Sequence, residues 1–146
     1  MARQDKEVSS CYMGCLATSG RKIERTIARI YDDALRPLGV KATQVSLLVH
    51  VGLMGPVAAK DLVPAMSIDQ TTLSRNLEKL EAGGLVAIDE GDDRRTRPVS
   101  LTPAGRKLLR EVRPVWERTQ DRVRELLGAD VAETLVLAAE RLGRGT

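Results

Sequence analysis

Few side chains in this sequence are able to do chemistry, and their spacing narrows what that chemistry is. There are two cysteines, Cys11 and Cys15, and one histidine, His50. Cysteines four apart on a helix share a face. That placement serves either as small apolar filler in a packed interface or as a thiol redox switch. A zinc site takes about four ligands, more than these three residues supply without carboxylates or a second subunit. A Ser-His-Asp triad would have to use His50, and neither a Gly-rich phosphate loop nor a paired-carboxylate motif accompanies it. The sequence therefore reads as a non-enzyme with no metal and no cofactor. The remaining concentration of reactive groups is cationic. Arg94, Arg95 and Arg97 follow Asp93 in a turn-rich stretch, and upstream a polar helix face carries Gln70, Thr71, Thr72, Ser74, Arg75 and Lys79. Such side chains read base edges in a major groove, and arginines on a hairpin tip suit a minor groove or clamp phosphates.

The elements that position these groups follow from length and patterning. The 146 residues suit one domain, or one domain with an oligomerisation appendage. With 42% hydrophobic and 29% charged residues the chain buries a core and is not disordered. No apolar run approaches the roughly 18 residues of a bilayer span. The first residues are polar and lack an apolar signal region, so the expected location is the cytoplasm, with no membrane partner. Phe is absent and aromatics make up 2%, so aliphatic side chains must fill the core, which favours helices over a β-sandwich. The net charge of +3 is mild. Residues 60–113 hold ten basic and nine acidic side chains, so any nucleic-acid binding rests on placed arginines more than on a broad field.

Ile23, Ile27 and Ile30, extended by Leu16 and Leu35, predict a helix over 10–35 that ends at Pro37 and Gly39. Thr43 is placed to cap a second helix to about Leu53, with Val45, Leu48, Val49 and Gly52 inward. A short third helix spans about 58–65. Ser67 and Gln70 form a capping-box pattern for a fourth helix, which buries Leu73, Leu77 and Leu80 and stops at Gly83-Gly84. The period then changes, and 85–88 and 98–101 read as two strands of a hairpin around the arginine tip. Thr102-Pro103 opens a fifth helix to about Leu127, with a kink expected at Pro114. A sixth carries Val131, Leu135, Ala138 and Leu142 at helical spacing, and the tail 143–146 is expected to fray.

Two short adjacent helices followed by a basic hairpin make a winged helix-turn-helix pattern. At these residues the sequence resembles the MarR family of transcription regulators. Asp93-Arg94-Arg95-Thr96-Arg97 leading into Leu101-Thr102-Pro103-Ala104-Gly105 is similar to that family's wing signature, Asp-x-Arg followed by Leu-Thr-x-x-Gly. The stretch from Thr72 to Val86 resembles its recognition helix, and that from Tyr31 to Leu53 its first two helices. The resemblance implies a mainly α fold with a small β-hairpin wing and N- and C-terminal dimerisation helices. Residues 1–40 and 103–146 would form the dimerisation region, and 41–102 the DNA-binding region. It further implies a homodimer on a pseudo-palindromic double-stranded operator with half-sites about 34 Å apart. Arg95 would enter the minor groove, oriented by Asp93.

The resemblance also implies a repressor released by a small aromatic or phenolic effector, for which Arg25, Tyr31, His50 and Trp116 are the candidate pocket residues. Two alternatives stay open on the sequence. One is a thiol-sensing regulator using Cys11 and Cys15; the other is a winged-helix protein-interaction module without DNA binding.

Overall fold

The computed structural model describes residues 9, 12, 14–90, 93 and 95–145. Cys11 and Arg94 lie outside the described residues. Helix α1 (Leu16–Leu35) runs into a single tight turn, Arg36–Leu38, and is followed by α2 (Ala42–Met54), β1 (Val57–Ala58), α3 (Ala59–Met66) and α4 (Gln70–Ala82). Then come β2 (Val86–Ile88), β3 (Pro98–Leu101), α5 (Pro103–Leu127) and α6 (Ala129–Gly145). The mainly α winged architecture expected from the sequence is present.

Several boundaries differ from the sequence reading, each for a local reason. Helix α1 starts at Leu16 because Gly14 takes φ +81° and Cys15 is extended, so Leu16 is a terminal residue, 87% exposed. Helix α2 is capped by other means than Thr43: Asp32 Oδ1, reaching across from α1, accepts the Ala42 N–H at 2.8 Å, and Gln44 Oε1 accepts the Lys41 N–H. Its buried residues are Val45, Leu47, Leu48 and Val51, whereas Val49 and Gly52 are exposed. This helix serves two cores on different sides, so no single stripe marks its inward face. The predicted cap Ser67 instead ends α3 in a left-handed conformation, φ 52°. Asp69 caps α4, its carboxylate accepting the Thr72 N–H at 2.8 Å and the Thr72 hydroxyl at 2.6 Å. Two capping patterns overlap here, and the ionised acceptor is the one used. Those bonds to Thr72 also hold the Asp69 carboxyl below its ordinary range.

The wing is part of a three-stranded antiparallel sheet in the order β1-β3-β2, where the sequence suggested two strands. Val57 pairs with Val99 and Ala58 with Pro98 on one side; Val86 pairs with Leu101 on the other. A two-residue β1 is too short for alternation to announce it. Pro98 stands at the first position of the central strand, where its missing N–H is tolerated. Helix α5 begins as the sequence predicts, with Thr102 Oγ1 accepting the Gly105 N–H at 3.0 Å. It continues through Pro114 as one element, and α6 remains helical to Gly145.

Burial divides between two clusters. One, under the sheet, joins Leu47, Leu48 and Val51 of α2 to Leu62, Leu73, Leu77, Leu80, Val86 and Val99. The other joins Tyr31 and Leu35 of α1 to Val40, Val45, Val112 and Val123. Leu85, Leu108 and Leu109 pack against both, so the start of α5 ties the winged part to the long helices. At 25 cal/mol per Å², each fully buried leucine contributes about 2 kcal/mol, and aliphatic side chains supply nearly all of it here. Among the described residues, no helix is long and apolar enough to cross a membrane.

Candidate nucleic-acid interface

The buried stripe of Leu73, Leu77 and Leu80 fixes which way α4 faces. At 100° per residue, Thr71 and Arg75 then point directly away from the core, and both are exposed. Gln70 and Ser74 lie on the flank that faces the wing, 3.5 Å apart from Nε2 to Oγ. Thr72 and Lys79 lie on the opposite flank. Thr72 is half-buried and engaged with Asp69, so its hydroxyl is part of the cap; Lys79 is exposed.

The wing arginines approach the first of these flanks. Ala59, Gln70, Ser74, Leu77, Glu78, Glu81, Ile88, Arg95 and Arg97 enclose a cavity of about 120 Å³ between α4 and the wing. Arg95 is held at several points. Its Nε and Nη2 donate to the two carboxylate oxygens of Asp93 at 3.3 and 3.2 Å, and its backbone N–H donates to Asp93 Oδ1 at 2.9 Å. Its carbonyl accepts the Lys60 N–H of α3 at 3.0 Å. The Asp93 carbonyl meanwhile accepts from both the backbone and the hydroxyl of Thr96. The Arg95 guanidinium holds the Asp93 carboxyl below the usual carboxylate range, and the pairing raises Arg95 in return. The Asp-x-Arg spacing therefore brings the two side chains together across the turn.

The sequence reading did not single out Glu78, Glu81 or the Lys60–Arg95 bond. The glutamates follow Ser74 at i+4 and i+7, a spacing that shares its flank. The backbone bond leaves no trace in side-chain identity.

The four suggested effector-pocket residues do not converge. Tyr31 and Trp116 do meet, with ring centroids 4.4 Å apart, and both line a cavity of about 480 Å³ with Ile27, Met66, Ile68 and Leu135. Burial pushes the Tyr31 phenol up, and its hydroxyl donates to Gln120 Oε1. Arg25 lines a different cleft, and His50 turns Nδ1 to the Ser46 carbonyl of its own helix at 2.8 Å. Cys15, half-buried at the start of α1, has its thiol lowered by hydrogen bonds from the Thr18 side chain and backbone. Among the described residues, no group of three or more His, Cys, Asp or Glu is placed to hold a metal ion.

This geometry matches known proteins along most of the chain. The model of the MarR family matches residues 38–96, from the end of the tight turn to the wing. The transcriptional regulator MosR of M. tuberculosis, in complex with DNA, is 31% identical with a TM-score of 0.76, over 90% of this chain and 95% of that one. The chain belongs to the MarR family. Another MarR-like neighbour in structure, BpsR of Bordetella bronchiseptica, whose DNA binding is regulated by 6-hydroxynicotinic acid, is 25% identical with a TM-score of 0.76, over 88% and 93% of the two chains. YwoH of Bacillus subtilis, an HTH-type transcriptional regulator, is 30% identical over 88 residues, 60% of this chain. That match spans 64% of the length of YwoH. In this chain the residues of the Leu-Thr-x-x-Gly stretch have separate tasks: Leu101 ends β3 paired with Val86, Thr102 caps α5, and Gly105 lets α5 lie against the entrance to β2.

Proposed function

We propose that this MarR-family regulator is a homodimeric repressor that binds a pseudo-palindromic operator and is released by a small aromatic or phenolic acid. The observation that carries the reading is that α4 presents Thr71 and Arg75 on its exposed face while a pre-paired Arg95 on the wing stands across one small cavity from its Gln70 and Ser74. An arginine already fixed by a carboxylate loses less conformational freedom when it inserts into a groove. In this reading Gln70, Thr71, Ser74, Arg75 and Lys79 face the major groove, and Arg95 and Arg97 the minor groove or its phosphates, with Arg94 a further DNA contact expected from the sequence. Residues 41–102 carry DNA binding, and 1–40 with 103–146 carry dimerisation.

Dimerisation is supported by what α6 leaves open. Val131, Val136, Leu137 and Leu142 are each more than half exposed, as is Leu126 at the end of α5. A helix with this many exposed aliphatic side chains needs a partner surface. The effector reading is supported by the Tyr31–Trp116 cavity, whose size falls within the roughly 300–1,000 Å³ of small-molecule sites. It is also supported by the response of BpsR to an aromatic hydroxy acid.

Selection of genomic fragments on the purified protein tests the proposal. An inverted repeat with half-sites about one helical turn, ~34 Å, apart is expected, and 6-hydroxynicotinate or 4-hydroxybenzoate at millimolar concentration should release it. Enrichment no better than random duplex would overturn the reading.

A second reading, a thiol-sensing form of the same regulator, is favoured by the lowered thiol of Cys15 at the start of α1. A lowered pKa raises the thiolate fraction, which is the reactive form. On this reading, peroxide should release the operator from the wild type and leave the Cys15→Ser complex intact in the same gel-shift assay. Equal release from both would exclude a role for this thiol.

A further inference from the structure

The flank of α4 that faces away from the wing borders a second, larger cleft, open between α1, α2 and α4 with a volume of about 870 Å³. Five basic side chains, Arg25, Arg29, Arg36, Lys41 and Lys79, line it against three acidic ones. Two of those acids are already engaged. Asp33 pairs with Arg36, and Asp32 accepts the Ala42 N–H. Arg25, Arg29, Lys41 and Lys79 make no ion pair with a carboxylate among the described residues. Four cations therefore share one concave surface, and α4 itself contributes Lys79 and Asn76 to it.

Groove geometry says what such a surface meets. A major groove is about 12 Å wide, and a helix with its side chains about 10–12 Å across. A helix seated there touches both sugar–phosphate walls, one along each flank. The wing stands at one flank of α4 and the basic cleft at the other. We propose that Arg25 and Arg29 of α1, with Lys41 and Lys79, bind the phosphodiester backbone of the groove wall opposite the wing. The first helix thereby becomes part of the DNA-binding surface. This rests on the DNA-binding reading above, and it gives Arg25 a role outside the Tyr31–Trp116 cavity. It also supplies positive charge that the winged segment, with ten basic and nine acidic residues over 60–113, lacks.

The test uses the full-length protein and an operator duplex selected on the wild type. The double variant Arg25→Gln/Arg29→Gln should bind it roughly 10- to 30-fold more weakly at 0.15 M salt. The dimer loses two phosphate contacts in each protomer, so its salt dependence should be shallower by about 3.6 in log–log slope, ~0.9 per phosphate lost. Discrimination between operator and scrambled duplex should not change, because phosphate contacts carry no sequence information. Wild-type affinity and slope in the double variant would overturn the inference while leaving the DNA-binding reading standing. So would insensitivity of the double variant to release by 4-hydroxybenzoate with operator affinity intact, which would make the cleft a small-anion site. If the wild type selects no duplex at all, the DNA-binding reading fails and this inference falls with it.

Discussion

Gly105→Ala is expected to lower stability by roughly 3 kcal/mol or more, at the upper end of what overpacking costs. A β-carbon there would lie 2.2 Å from the Leu85 carbonyl oxygen and 2.7 Å from Leu101 Cδ1. The first obstacle is backbone, and it is fixed in place. Leu85 O accepts the Thr102 N–H at 3.2 Å, and Gly84 O accepts the Thr102 hydroxyl at 2.7 Å. The strand entrance cannot retreat from α5 without losing both bonds and the cap that Thr102 provides to Gly105. The expected reading is a fall of roughly 10 °C in thermal midpoint. Gly20→Ala is the matched control. It sits in α1 with nothing within 4 Å of its would-be β-carbon, so it should melt with the wild type or slightly above it. A Gly105→Ala protein that melts with the wild type would show that the entrance to β2 yields freely.

Arg95→Ala is expected to weaken operator binding by about 1–3 kcal/mol, roughly five- to 150-fold. The partner substitution is the sharper test, because two views of Asp93 predict opposite signs. If the carboxylate is simply an acid near phosphate, Asp93→Asn should tighten binding by removing repulsion. If it positions the guanidinium through the 3.2 and 3.3 Å bonds, the same change should weaken binding several-fold although the protein becomes more positive. Arg95→Lys separates charge from shape. It keeps the cation but loses the planar fork, and its affinity should fall closer to that of alanine than to that of arginine. Fluorescence anisotropy with a labelled operator measures all three. Tighter binding by Asp93→Asn would remove the positioning role.

How far the sequence disclosed this structure depended on whether the signal was local. The cap of Thr102, the buried stripe of α4 and the Asp93–Arg95 pairing each involve residues within a few positions of one another, and the pattern announced them. The Asp32 cap of α2 crosses ten residues and involves a carboxylate that in sequence is one more charge on a polar helix face. The inward face of α2 is not legible in the sequence because Val45 belongs to one core and Leu47, Leu48 and Val51 to the other. A helix buried on two sides has no single period to read. Arg25 and Tyr31 lie six residues apart on one helix, a spacing that by 100° steps puts them on different faces. That angle sends Arg25 to one cleft and Tyr31 to another.

The path of α5 has a mechanical meaning. Leu108 and Leu109, near its start, pack against the winged core as well as the other, while Val123 and Leu127 sit in the other core alone. Pro114 lies between them, and its missing N–H leaves the Arg110 carbonyl without its partner one turn on. The helix is thus a lever with its softest joint near the fulcrum. From Pro114 to Leu127 the arm measures about 20 Å at 1.5 Å per residue, so a tilt of about 10° at the joint swings the far end by roughly 3.5 Å. That is about the rise of one base pair, the increment by which a reading head loses or keeps its place on DNA.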